Sequence, residues 1–329
     1  MRSRILTGAL QQDGGKDMSD KIFLRNVAGQ YMNVLGRKDE RVVVVNADLM
    51  NTSRNRAFVE EFPDRSFNVG IAEQFMVSFA AGLAHEGFIP YAFTMAPFMS
   101  MRACEQVRTD VAYADLDVRL IATYAGVSGG ISGATHWSIE DAGIMRSIPN
   151  ITILEPSDGI QAMRMLDATL THKGPVYMRI SVDPVDKIYD DDYEFTLARA
   201  SVPRDGGDGS FICSGSVVSS AVAASDRLLE DHGVNVRVVD MHTIKPIDTE
   251  AIISAARTGH IVVAQDHNIV GGLGDAVARV LAENGLSCAY SCAGIPDEFT
   301  AMAHAPYLYH KFGYDAEGLV GLMKRSLGI

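Results

Sequence analysis

The feature that most constrains this chain is the alternation of short β-branched runs with segments whose apolar residues fall at helical spacing. VVVVN (42–46), FIPYAF (88–93), VRLIATY (118–124), ITILEP (151–156) and PVYMRI (175–180) read as strands buried on both faces. Between them Ala72, Phe75, Met76, Phe79, Ala80 and Leu83 recur at helical spacing, and Ser157 or Asp158 can cap a helix running to about Thr171. Strand, crossover helix and strand in this order imply an α/β fold with a mostly parallel sheet.

Residues 181 to about 208 interrupt the rhythm with SVDPVDKIYDDDYEF and PRDGGDG, an acidic stretch with Pro and Gly that suits a crossing between domains. A second series then begins. SFICSG, VRVVDM, HIVVAQDH and CAYSCA alternate with expected helices over about 217–231, 248–257, 273–284 and 316–327. The expected organisation is an N-terminal extension (1–19), a first α/β domain (20–185), a linker (186–207) and a smaller α/β domain (208–329), each domain with a mostly parallel sheet covered by helices. The segment MRSRILTGALQQDGGKD has too short an apolar run for a signal peptide.

A chain of 329 residues with 47% hydrophobic and 21% charged residues can bury two large cores. Its net charge of -12 offers no electrostatic basis for binding nucleic acid or an anionic membrane. The apolar runs are strand-sized, far short of a membrane helix. Cysteines 104, 213, 288 and 292 form no CxxC pair and read as reduced core residues, which suits a cytoplasmic protein.

Ligands of open parallel sheets bind beyond the carboxyl ends of the strands. The segments there are ADLMNTSR (47–54), GIAEQ (70–74), TMAPFMSMR (94–102, read as an aromatic-rich loop), AGVSGGISGATHW (125–137) and the arginine of YMRI. Glu73 is the unusual member, a carboxylate between an apparently buried strand and the first turn of a helix. It either does chemistry or complements the helix dipole. Asp48 and Arg54, taken alone, also read as solvated loop residues.

FPDRSFNVGIAEQ (62–74), the Phe98 to Arg102 spacing followed by EQVRTDVA, SGATHWSIEDAGIMRSIPN (132–150), HTIKPID (242–248) and GGLGDAVA (271–278) occur in an order that resembles transketolase and the related deoxyxylulose-phosphate synthase. The resemblance covers about residues 20–325. It implies the pyrimidine-binding domain of a thiamine diphosphate enzyme followed by the transketolase C-terminal domain. On that resemblance Glu73 hydrogen-bonds N1′ of the cofactor's aminopyrimidine and favours the tautomer whose 4′ nitrogen takes the thiazolium proton. Excluding water strengthens such a bond. Phe98 is the expected stacking ring, with Phe93 as the rival, and Ile71 and Arg102 are the other expected cofactor contacts. His136 is expected at donor oxygens or in proton transfer, Arg179 at a sugar phosphate, and Asp48 and Ser132 among the substrate contacts.

The family also needs a GDG motif after a strand, with an asparagine beyond it, to hold diphosphate and metal. GDG at 207–209 with Asn235 does not qualify, because it precedes its strand, and it reads as a turn. The resemblance therefore implies a split enzyme. An N-terminal transketolase subunit would hold the diphosphate and magnesium in an α2β2 assembly with an apolar face between the chains, acting on phosphorylated or similarly anionic sugars. Ser132 stands where transketolases commonly have aspartate, Trp137 where they have glutamine and Tyr124 near a common histidine, departures expected to change the sugar accepted. A 2-oxoacid dehydrogenase β subunit, a synthase-type activity and a non-catalytic subunit are the competing expectations.

Overall fold

The structure, a computed structural model, describes residues 21–329, so the expected extension over 1–19 lies outside the described residues. The first half supplies β1 (Ile22–Phe23), β2 (Val42–Asn46), β3 (Ser66–Asn68), β4 (Ile89–Met95), β5 (Arg119–Thr123), β6 (Thr152–Leu154), β7 (Val176–Ile180) and β8 (Pro184–Val185). The second half supplies β9 (Ser201–Arg204), β10 (Gly209–Cys213), β11 (Val236–Asp240), β12 (Thr243–Lys245), β13 (His260–Asn268) and β14 (Ala289–Ile295).

Two parallel sheets dominate. The larger runs β12-β6-β7-β5-β4-β2-β3, and all its neighbours are parallel except the antiparallel pair of β12 and β6. The smaller runs β14-β13-β10-β11-β9, with β9 antiparallel at one edge. The valine run of β2 is wholly buried because its two faces serve two cores: Val42 and Val44 pack under the helix Leu24–Lys38, and Val45 packs with Met76, Val77 and Ala80 of the helix Glu73–His85. That second core continues without a break into Ile212, Val239, Ile252 and Leu273 of the other domain.

Three expectations are corrected. Residues 201–204 fall in the expected linker but form β9, pairing across Val238 and Asp240. Thr243–Lys245 crosses back to extend the first domain's sheet, which local spacing does not reveal. Residues 98–112 are helical, with π-type turns over Phe98–Arg102 and Val107–Ala112 around a short α turn at Cys104–Gln106, although 94–102 reads as a loop. The widened turn brings residue i+4 back above residue i, which matters at the site. The GDG segment is a bend at Gly207–Asp208 whose last glycine opens β10, braced by its asparagine: the Asp208 N–H donates to the Asn235 carbonyl (3.0 Å) and the Asn235 N–H to the Asp208 carboxylate (2.8 Å). Among the described residues no helix is long and apolar enough to cross a membrane.

Candidate active site

Parallel strands carry their following loops to one edge, and the four loops singled out above meet there. Glu73 opens the helix Glu73–His85 with its side chain 2% exposed, although it follows an Ala72 cap that offers no side-chain bond. Its Oε2 accepts from Arg102 Nη1 at 2.8 Å, and among the described residues no donor reaches Oε1. Arg102 arrives through the π turn: its guanidinium carbon lies 4.2 Å from the centroid of the Phe98 ring, four residues back. The other contact of Phe98 is the imidazole of His136, edge-on with centroids 5.9 Å apart. Glu73, Arg102, Phe98 and His136 thus form one contiguous cluster. Phe93, the alternative stacking ring, is fully buried in β4 and belongs to the core.

One face of Phe98 is covered by Arg102, so a flat ring stacks on that face only after the arginine, 46% exposed, swings out. His136 Nδ1 pairs with the Thr135 hydroxyl at 2.8 Å, and Nε2 has no protein partner among the described residues. Ile71, 77% exposed, lies two residues before Glu73. Asp48 is tied to the same approach, since Asn68 Nδ2 donates to its carboxylate (3.1 Å) and Asn68 Oδ1 accepts from the N–H groups of Asp48 (3.0 Å) and Gly70 (3.1 Å). Ser132 ends a short 3-10 turn on the glycine-rich loop, half-buried.

Arg179 is corrected. It is fully buried, its Nε and Nη2 fork onto both oxygens of Asp141 at 3.0 Å, its Nη1 reaches Glu155, and Nη2 also donates to the Asp266 carbonyl at 3.1 Å. With its donors committed and no exposure, it pins the domains together instead of gripping a phosphate. Burial would lift the Asp141 carboxyl, but the Arg179 guanidinium holds it below the usual range; Glu155, with one contact from that arginine, is pushed up by burial. Ser214 (2.6 Å) and Gln265 (2.8 Å), both from the second domain, complete the coordination of Glu155.

Trp137 is corrected as well. Expected to narrow the substrate space, it is 2% exposed and packs with Phe211, Val217 and Val238 in the second domain's core.

His267 borders this network. Its Nδ1 contacts the Asn268 carbonyl at 2.7 Å and its Nε2 accepts from the Gly143 N–H at 3.3 Å, an assignment that requires the neutral ring. Burial, with the Arg179 charge, pushes its pKa down to about 4 from 6.5. A base depressed on folding gives stability that is present above 6.5 and lost as pH falls through about 4. Denaturant midpoints between pH 7 and pH 4 should therefore fall more for the native chain than for His267→Gln, by up to ~3 kcal/mol.

A further group escapes a reading of the strands and loops because it depends on the helix Leu24–Lys38. Among the described residues no hydrogen-bond partner reaches the buried Arg25 Nε, both amide atoms of Asn26, Ser53 Oγ or Asn55 Oδ1. A Cβ on Gly29 would lie 2.0 Å from the Ser53 carbonyl, so this helix lies directly on the 48–55 loop. Buried polar atoms are nearly always paired, so this group is a candidate binding position. The available signal was the polar pair Arg25 and Asn26 inside an otherwise apolar run, LRNVAGQYM.

Comparison with known proteins places both halves of the chain in one family. The pyrimidine-binding domain of transketolase matches residues 20–185 and the transketolase C-terminal domain residues 198–319. The chain belongs to the transketolase family. It is 38% identical to the 6-deoxy-6-sulfo-D-fructose transketolase subunit SqwH of Clostridium sp. (strain MSTE9), over 91% of this chain and 92% of that one. It is equally 38% identical to a subunit of the apulose-4-phosphate transketolase of Actinobacillus succinogenes, over 93% and 98%. Among solved structures, one described as a split gene transketolase, inactive beta4 tetramer, superposes with a TM-score of 0.85 at 35% identity, over 93% of this chain and 98% of that one.

Proposed function

We propose that the chain is the C-terminal subunit of a split transketolase, which moves a two-carbon ketol unit from an anionic ketose to an aldose with thiamine diphosphate and a second, N-terminal subunit. The observation that carries this is Glu73: a nearly fully buried carboxylate with one oxygen on Arg102 and, among the described residues, no donor on the other, beside Phe98 and His136. A carboxylate oxygen that no donor among the described residues reaches, on a side chain 2% exposed, fits the protonated ring nitrogen of an aminopyrimidine. When bound, thiamine diphosphate supplies the electron sink that allows a carbon–carbon bond of the ketose to break.

This chain's own residues then have distinct tasks. Glu73 holds a proton at the pyrimidine nitrogen. Phe98, once uncovered, and Ile71 flank the ring, and Arg102 keeps Glu73 oriented while no ligand is there. His136 presents Nε2 to substrate oxygens, with Ser132 and Asp48 beside it on the same edge. The anionic end of the sugar goes to Arg25, Asn26 and Ser53, since Arg179 is committed elsewhere.

Among the described residues no group of three His, Cys, Asp or Glu side chains is placed to hold a metal ion. Magnesium and diphosphate are assigned to the second subunit on the resemblance to the family, and α2β2 is the proposed assembly. Ile71, Phe75, Met101 and Ile131 are exposed apolar residues around the cluster and form the surface it covers. The relatives named as subunits, and the description of one such chain alone as an inactive tetramer, support this reading.

The test is to coexpress the chain with an N-terminal transketolase subunit and titrate thiamine diphosphate with magnesium by calorimetry. Stoichiometric binding by the pair and none by the isolated chain is expected, followed by ketol transfer from a panel of anionic ketoses. A pair that binds no thiamine diphosphate overturns the proposal.

A further inference from the structure

The loop that carries Ser132 and His136 has little stiffness of its own. Four of the 13 residues in AGVSGGISGATHW are glycine, and a glycine-rich segment has many conformations to lose. Its course is nevertheless fixed from both sides: in the first domain the Asp183 carboxylate accepts the Gly129 N–H at 2.9 Å and the Ser128 hydroxyl accepts the Val182 N–H at 3.2 Å, and the second domain holds the loop at three points. At its start, the Asp266 carboxylate accepts the Val127 N–H on both oxygens (3.0 and 3.2 Å), the Tyr309 hydroxyl at 2.8 Å and the Tyr314 hydroxyl at 3.1 Å. That carboxylate fills the space beneath Gly126, whose φ is +66° and whose Cβ, if present, would lie 2.1 Å from it. Midway, a Cβ on Gly130 would lie 2.0 Å from the Ala303 carbonyl. At its end, Trp137 packs into the second domain's core next to His136.

The midpoint and end anchors are packing contacts, which tolerate small slides. Of the second domain's anchors only Asp266 makes directional bonds to the loop backbone with a charged acceptor, and it is 3% exposed; Asp183 makes the corresponding bond from the first domain.

We propose that Asp266, braced by Tyr309 and Tyr314, is the second domain's positioning residue for the His136 loop, so that the second domain helps govern a reaction at whose central cluster it places none of the described side chains. The reading of His136 as a substrate contact rests on the function proposed above; the loop geometry does not. Asp266→Asn is the sharpest probe, because its amide keeps one acceptor oxygen and turns an NH2 group toward one of the three donors.

Trp137 is the chain's only tryptophan, so its fluorescence reports this loop alone, without cofactor or partner. In the isolated full chain, Asp266→Asn should red-shift Trp137 emission and raise its acrylamide quenching constant at least twofold, while circular dichroism stays native. Tyr309→Phe and Tyr314→Phe should move it the same way by less. In the assembled two-chain protein, Asp266→Asn should lower kcat at least tenfold with the Kd for thiamine diphosphate changed less than twofold. A folded Asp266→Asn chain with unchanged Trp137 emission and quenching overturns the proposal, as does equal loss of kcat and thiamine diphosphate affinity. If Asp266→Asn does not fold, the Tyr309→Phe/Tyr314→Phe double variant decides by the same two readouts. If the native pair binds no thiamine diphosphate, the functional reading fails, and the fluorescence of the isolated chain still decides whether Asp266 holds the loop.

Discussion

Glu73→Ala, assayed in the assembled two-chain protein, should lower ketol transfer by at least ~10²-fold, the usual worth of a positioned acid–base group. Its thermal unfolding should stay within about 1 kcal/mol of the native chain, because the side chain removed was paired only with a half-exposed arginine. Glu73→Gln separates the two readings of this residue. If Glu73 only complements the helix dipole, the amide costs a few tenths of a kcal/mol and leaves turnover intact. If it holds a proton at the cofactor's ring nitrogen, the amide loses most of the turnover while keeping the shape. Single-turnover ketol transfer and calorimetric melting on the same preparations read both quantities.

Arg179→Met should have the largest effect on stability of any single change at the site edge. It strands Asp141 and Glu155, both buried, beside one another without a counter-charge, and breaking a buried pair in this way costs about 3–5 kcal/mol. Arg179→Lys should fail to rescue it, since a single ammonium cannot reproduce the fork on Asp141 and also reach Glu155. The denaturant midpoint of the isolated chain measures this directly. A phosphate-gripping arginine would behave otherwise, raising KM for the sugar with little change in the midpoint.

These two residues also mark what can be read in the sequence. Glu73 is legible because its oddity is local: a carboxylate at the junction of an apolar strand and an apolar helix is visible in eight consecutive letters, FNVGIAEQ. The parallel strands are legible for the same reason, since both-face burial writes itself as consecutive β-branched residues, and β2, β7 and β11 fall where the runs do. Arg179 reads as a ligand group because nothing nearby in sequence pairs with it; its partners are 24, 38 and 87 residues away. The same holds for Asp266 and Trp137, whose environments are made by the other domain, and for β12, whose three residues join a sheet built by the first half. The π turn at Phe98–Arg102 is hidden because an apolar stretch with Pro97 at its head reads as a loop, and the backbone's wider pitch leaves no periodic trace in five residues.

The crossing of Thr243–Lys245 into the larger sheet bears on how such chains are recombined over time. Exchange of C-terminal halves between relatives at residues 186–200, where the connection is irregular, would trade away the strand that covers the edge of β6. A hybrid whose incoming β12 fails to match Ile153 and Leu154 exposes an open strand edge that other chains can extend. A recombinant that takes residues 152–154 and 243–245 from one parent keeps this pairing, so the smallest exchangeable unit for folding is larger than either domain.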